Sequence, residues 1–333
     1  MKLSLAEARD LAVAVLTRHD VSAENAAIVA DALVLAEADG IASHGLSRLA
    51  AYSDQARAGK VNGHAVPALS RPKPAALFVD AGTGYAFPAL ARGLDEAVRL
   101  APEMGVVAVA VGNSHHFGVA GHHVERVARA GLVGLGLGNA PAAIAPWGGS
   151  KPLFGTNPIA FAAPWEGHDP LVIDLSLSKV ARGKIMVAAQ KGEPIPEGWA
   201  LDPEGRPTTD AKAAMAGAML PMGDAKGAAL VMMVELLAAA FTGAHFGFEA
   251  SSFFDDKGPA PRTGQFFLVI DPNGFGGRAF TDRMAALMGA VSDQPGTRIP
   301  GRRRFELRRR SEADGIAVPD ALFADLQKRA GRG

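Results

Sequence analysis

The sequence predicts an α/β protein, with an α/β core from about 75 to 290 and a helical unit built from both chain ends (1–74 and 291–333). Three observations carry this reading. The first seventy residues have a helical texture. Short β-prone runs then alternate with alanine-rich helical segments. The tail returns to helix after 291.

Each element has a local reason. Ser4 and Glu7 stand at capping-box spacing, and Leu11, Val13, Val15 and Leu16 carry a helix on to His19. Ser22 can cap a second helix, rich in Ala, Ile, Val and Leu, that runs to Gly40. A third is expected from near Ser43 to Gly59. The β-prone runs are AALFVD (75–80), VVAVAV (106–111), LVGLGLG (132–138), LVIDLS (171–176) and QFFLVID (265–271). The stretch from Asp224 to Phe241 reads as a helix apolar on most sides, which predicts burial. Pro319 is placed to start the last helix. No repeat of 20–50 residues is visible.

Composition excludes several chemistries. The 333 residues carry 34 basic and 34 acidic side chains and no cysteine. Disulfides, thiolate catalysis and cysteine-rich metal sites are therefore ruled out. Charge balance argues against a general polyanion binder. MKLSLAEARD does not read as a signal peptide, and no apolar run reaches about 18 residues. The expectation is a soluble, cytoplasmic protein.

The motifs divide by geometry. Gly131, Gly134, Gly136 and Gly138 lack G-x-G-x-x-G spacing, and NAPAAIAPWGG after them cannot open a helix. Close backbone packing explains alternating glycines in a strand better than a dinucleotide fingerprint. His115, His116, His122 and His123 do not converge as a metal site must, since positions seven apart on a helix lie about 10 Å apart. One of them is expected to meet a polar ligand and the others to sit on a helix surface. Asn113 to Gly118 reads as a strand-to-helix loop, a common ligand position. Arg302 to Arg304 and Arg308 to Arg310 form a basic run without interleaved aromatics. That pattern disfavours nucleic acid, leaving a small-ligand phosphate or an ordinary solvated run. Ser43, His44 and Arg48 are different in kind. His44 and Arg48 are expected on one helix face, joining a proton donor to a carboxylate clamp. Reduction of a 2-oxo acid or a carboxylated imine needs both groups.

Taken in order, the motifs resemble those of the type 2 malate/L-lactate dehydrogenase family of NAD(P)-dependent oxidoreductases. They are SHGLSR (43–48), AGKVNG (58–63), NSHHFGVAG (113–121), PLFGTNPIAFAAP (152–164), DLSLSKVARGKI (174–185), IPEGWALDPEGRPTTD (195–210), LPMGDAKGAALVMMVELLAAAFTG (220–243) and RIPGRRR (298–304). The resemblance implies a homodimer, a non-Rossmann nicotinamide-binding fold, and NADP or NAD as cofactor, NADP slightly favoured. His44 matches the family's proton donor and Ser43 the neighbour that orients it. Arg48 matches the carboxylate clamp and Thr156 a substrate hydroxyl contact. His116, Phe117, Gly118, Val119 and Ala120 match a dinucleotide loop. Asp174, Leu175 and Ser176 match a second cofactor segment, Ala225 and Lys226 a third, and Arg298, Gly301, Arg302, Arg303 and Arg304 a fourth.

One position separates the branches. The cyclic-imine reductases resemble each other in carrying an acid, relaying to the histidine, near Lys184. Here VARGKI offers lysine, as in the hydroxy-acid branch, so Lys184 joins Ser43 and His44 in the expected catalytic set. MVELLAAAFTG and TGQFFLVIDP resemble the imine reductases instead. The resemblance thus implies hydride transfer to C2 of a small 2-oxo acid, with reduction of Δ1-piperideine-2-carboxylate or Δ1-pyrroline-2-carboxylate as the open alternative.

Overall fold

A computed structural model describes residues 1–276 and 279–332. The chain opens with a short strand β1 (Lys2–Leu3) and three helices, α1 (Leu5–Thr17), α2 (Ala23–Ala38) and α3 (Leu49–Arg57). The capping box forms: Ser4 Oγ accepts from the Glu7 amide at 3.2 Å, and the Glu7 carboxylate accepts from the Ser4 amide at 2.8 Å. Ser22 caps α2 by accepting from the Asn25 amide. The helix expected from Ser43 starts late. Ala42–His44 and Leu46–Arg48 are separate 3₁₀ turns, and α3 begins only at Leu49. Glu37 is the reason. Its carboxylate reaches from α2 to the Leu46 amide (2.9 Å) and fills the space where a Cβ on residue 45 would sit, so any side chain there would displace it.

The core is a seven-stranded sheet. Its first part comprises β2 (Ala68–Lys73), β3 (Ala76–Asp80), α4 (Ala86–Met104), β4 (Val106–Ser114), α5 (Ala120–Arg129) and β5 (Val133–Gly138). β6 (Ile159–Ala163) and β7 (Leu171–Leu175) follow. Next come α6 (Arg182–Lys191), a small sheet of β8 (Ala200–Leu201), β9 (Pro207–Thr208) and β10 (Ala218–Met219), and α7 (Ala211–Ala216) ahead of β10. The helix α8 (Asp224–Glu235) runs into a π turn at Leu236–Ala240, and β11 (Thr263–Ile270) returns to the centre of the large sheet. The strand order is β2-β3-β4-β11-β5-β6-β7, with β3 and β4 parallel across α4 and the other pairs antiparallel.

Alternation along β11 divides the core. Phe267 and Val269 pack with α4 and α5, whereas Phe266 packs with α8 on the opposite face. The β5 glycines serve this packing. A Cβ at Gly136 would strike the Phe267 ring, and one at Gly138 the Phe117 ring.

After β11 the chain makes α9 (Ala279–Ser292), α10 (Arg302–Asp314), β12 (Ile316–Ala317) and α11 (Asp320–Arg329). β12 pairs antiparallel with β1, and Ile316, Val318 and Leu326 join the apolar cluster of α1 to α3. By contrast, Phe305 of α10 packs with the sheet.

The expected burial of 224–241 is only half met. Val231, Val234 and Ala238 are buried on the sheet, but Leu230, Met232, Met233, Leu236 and Phe241 are exposed, Phe241 at 67%. Within one chain a helix lying on a sheet face has only one side covered, whatever its outer residues. No helix among the described residues is long and apolar enough to cross a membrane.

Candidate active site

The two 3₁₀ turns place their side chains in a cleft between α3, the 115–119 loop and the 252–257 loop. Ser43 Oγ lies 3.0 Å from His44 Nδ1, leaving His44 Nε2 without a partner among the described residues. The Arg48 Nε donates to the Ser43 carbonyl at 2.7 Å, which turns the guanidinium toward His44. The Cζ of that guanidinium lies over the Phe254 ring, 4.7 Å from its centroid. The rings of His44 and His116 are 5.3 Å apart, and His116 Nδ1 is held by the Tyr52 hydroxyl at 2.6 Å.

Electrostatically the cleft is poised. Burial first, and the Arg48 charge second, push His44 down to about 4, so it is neutral at pH 7. His116 lies well below its ordinary value for the same two reasons. Burial also lowers Arg48. Among the described residues no carboxylate comes within ion-pair distance of Arg48, and its Nη atoms have no hydrogen-bond acceptor. The cleft therefore holds a desolvated cation whose counter-charge the described residues do not supply.

Three of the segments expected at the cofactor, the 116–120 loop, Asp174 and Arg304, meet at the first turn of α5. The Gly121 amide donates to Asp174 Oδ2 at 2.7 Å. A Cβ on Gly121 would lie 2.7 Å from Arg304 Nη1 and 3.0 Å from Asp174 Oδ2. Gly301, at φ +83°, lies against Val172. Beyond β7, Ser176 Oγ bonds Ser178 Oγ (2.7 Å), and Ser178 bridges to Pro221 ahead of α8. Ala225 and Lys226 are exposed at that helix start, and Leu175 and Ser176 are exposed beside them. Two helix N-termini thus flank the row, with Lys226, Arg298 and Arg303 exposed and without an ion pair among the described residues. That donor set suits the phosphates of a dinucleotide.

Individual positions fare differently. Phe117, Val119 and Ala120 are buried, with the Phe117 ring stacked on His123, so they shape the loop from beneath. Gly118 takes a left-handed φ of +68°. Arg302 pairs with Glu306 at 3.3 Å. Arg304 is neither solvated nor free: it bonds Glu125 at 2.6 Å and lies 3.1 Å from Asp39. Arg308 bonds both acids at 2.7 Å. His122 and His123 are not surface histidines either. His122 Nε2 meets Asp39 at 2.8 Å, and His123 Nε2 meets the Phe117 carbonyl at 2.8 Å. Thr156 is half-buried, with its carbonyl accepting from the Leu177 amide. Lys184 is exposed on α6. Neither Thr156 nor Lys184 makes a hydrogen bond or ion pair with Ser43, His44 or Arg48 among the described residues.

Sequence reasoning missed Tyr52, Lys60, Phe253 and Phe254, which wall the cleft. A doubled phenylalanine inside the polar stretch SSFFDDKG was the available signal. Among the described residues no group of three or more His, Asp or Glu is arranged to hold a metal ion.

A family model described as malate/L-lactate dehydrogenase matches residues 3–327. A (2R)-3-sulfolactate dehydrogenase (NADP(+)) of Chromohalobacter salexigens is 56% identical over 328 residues, 98% of each chain. A Δ1-pyrroline-2-carboxylate reductase of Ancylobacter novellus is 41% identical, covering 100% of this chain and 98% of the relative. Among solved structures, the Δ1-piperideine-2-carboxylate reductase of Pseudomonas syringae superposes with a TM-score of 0.94 at 38% identity, covering 99% of both chains. The sulfolactate dehydrogenase of Methanocaldococcus jannaschii gives 0.92 at 30% identity, covering 99% of this chain and 97% of the other.

Proposed function

We propose that this chain, which belongs to the malate/L-lactate dehydrogenase family, is an NADP-dependent oxidoreductase acting at C2 of a small 2-oxo or 2-hydroxy acid. One observation carries the reading: Arg48 is a desolvated cation facing His44 without a carboxylate of its own. The 56% identity to a protein named as an NADP(+) sulfolactate dehydrogenase supports the acid class and the cofactor.

Bound NADPH supplies the hydride. The first turn of α5, Asp174 to Ser176, Ala225 with Lys226, and the exposed arginines Arg298, Arg302 and Arg303 would hold the dinucleotide. Arg304, locked between Asp39 and Glu125, positions the α10 end of that row rather than meeting phosphate as a free charge. Arg48 takes the substrate carboxylate through its two Nη atoms. The same contact acts on His44. A carboxylate cancels the guanidinium charge that, after burial, holds the imidazole low, so His44 gains proton affinity as substrate seats. Ser43 orients the ring through Nδ1, and Nε2 delivers the proton to the developing alkoxide.

A homodimer is supported by the apolar outer side of α8, where Leu230, Met232, Met233 and Leu236 are exposed together. Thr156 and Lys184, which do not meet Ser43, His44 or Arg48 within one chain, keep their substrate and catalytic assignments as proposals.

The second reading, reduction of a cyclic 2-imino acid, needs the same clamp and donor and rests on the 41% identity to a named pyrroline-2-carboxylate reductase. Following NADPH and NADH oxidation against sulfopyruvate, oxaloacetate, pyruvate and the two cyclic imines separates the readings. Turnover of the 2-oxo acids with NADPH is expected. Turnover of the imines alone would replace the first reading with the second.

A further inference from the structure

The Lys60 ammonium is the most enclosed cation in the neighbourhood of the cleft, with its side chain 1% exposed. Its Nζ donates to three backbone carbonyls of one loop: Ser252 at 2.7 Å, Asp255 at 2.9 Å and Lys257 at 2.7 Å. An ammonium has three protons, so all are spent on this loop. The Asp255 carboxylate, 3.5 Å away, supplies the counter-charge. Gln55 Nε2 adds a second tie to the Asp255 carbonyl at 2.9 Å. Three carbonyl oxygens pointing at one spot repel each other, and only a buried cation reverses that preference. The loop has no helix or strand of its own between Ala250 and Arg262.

The loop's two phenylalanines depend on that curl. Phe253 is buried, with its ring 5.0 Å from His115 and 5.2 Å from His116. Phe254 is 58% exposed, and its ring lies under the Arg48 guanidinium. An exposed ring is not kept in place by burial, so the backbone must hold it there. The Ser43 carbonyl fixes Arg48 at Nε, and Phe254 fixes the plane about that bond.

We propose that Lys60 is a positioning residue for the carboxylate clamp: its ammonium shapes the 252–257 loop, and the loop holds Phe254 under the Arg48 guanidinium. The proposal rests on Arg48 being that clamp, and the test separates the two. Lys60→Met and Lys60→Arg are compared with Phe254→Leu, the first removing the charge and the second replacing the compact ammonium with a planar fork. Amide exchange of residues 252–257 is measured together with substrate KM, kcat and NADPH affinity. Both Lys60 variants should speed exchange of the loop and raise substrate KM roughly tenfold, about 1.4 kcal/mol. NADPH affinity should stay within about twofold, because the interaction removed belongs to the substrate alone. Phe254→Leu should raise KM without changing exchange near Lys60, and adding it to Lys60→Met should add little further. Unchanged exchange in Lys60→Arg overturns the proposal, as does faster exchange with unchanged KM. If Lys60→Met does not fold, Lys60→Arg with Phe254→Leu decides it. If no 2-oxo or 2-imino acid is turned over, the clamp reading fails, and exchange alone shows whether Lys60 holds the loop.

Discussion

Two groups of charged side chains stand close together at the end of α2, and they are built on opposite rules. In the first, Asp39 and Glu125 face Arg304 and Arg308, with His122 on Asp39, so each guanidinium has a carboxylate. Burial pushes the Asp39 carboxyl up, but the bonds from Arg308 and His122 outweigh it, and the group ends below its usual value. In the second, Arg48 is desolvated beside His44 and has no such partner among the described residues. The complete group ties α2, α5 and α10 together. The incomplete one leaves a vacancy for an acid from outside. A structural ion cluster and the proposed ligand site thus differ here by one carboxylate.

That contrast is open to direct attack. The largest effect should come from His44→Ala, which is expected to lower kcat by about 10²–10⁴-fold with NADPH affinity retained, read by steady-state kinetics and fluorescence titration. Wild-type turnover in that variant would remove His44 from the donor role. Next, Asp39→Ala breaks a paired cluster and should lower unfolding free energy by about 3–5 kcal/mol in denaturant melts. Arg48→Ala removes a half-buried cation that has no ion pair among the described residues, so its melt should change little while substrate KM rises. If both variants lost similar stability, the distinction between the groups would fall.

Smaller effects follow from titration. Arg48→Met should raise the His44 pKa from about 4 toward 6.5 by NMR without reaching it, since burial is the greater cause. For stability the sign is fixed by His44 and His123, both lowered to about 4, and by His115, lowered to about 3. The unfolded chain binds these protons below about 6.5 and the folded chain does not, so stability should fall as pH drops from about 6.5 toward 4. Both ring nitrogens of His115 are buried and unpartnered. His115→Phe should therefore lessen the loss at pH 5, measured as the change in melting temperature against pH.

Local patterns were legible where local chemistry decides. The capping box, the Ser22 cap, β3, β4, β5, β7 and β11 follow from nearby residues alone. β6 was not read as a strand, because IAFAA is short and sits in a longer motif. β2 is an exposed edge strand interrupted by Pro72, with little alternation to read. At the cleft, Ser43, His44 and Arg48 do come together, but on 3₁₀ turns set by Glu37, a long-range contact that helical spacing cannot anticipate. The alternating glycines of β5 serve packing. Within the basic run, only Arg304 and Arg308 depart from a solvated or phosphate-binding role, because the acids that match them lie in α5 and at the end of α2.

The position of β11 has a temporal consequence. It lies between β4 and β5, and its Gly264 amide bonds the Asn139 side chain 125 residues earlier. On the ribosome, at roughly 5–20 residues per second, the facing edge of β5 stays open for about 6–25 seconds, and that of β4 somewhat longer, before the strand between them exists. Both are apolar, and unpaired edges of that kind join other chains readily. This protein should therefore fold slowly, as chains dominated by distant pairings do. Its yield on refolding should decline with concentration more steeply than its thermal stability alone would suggest.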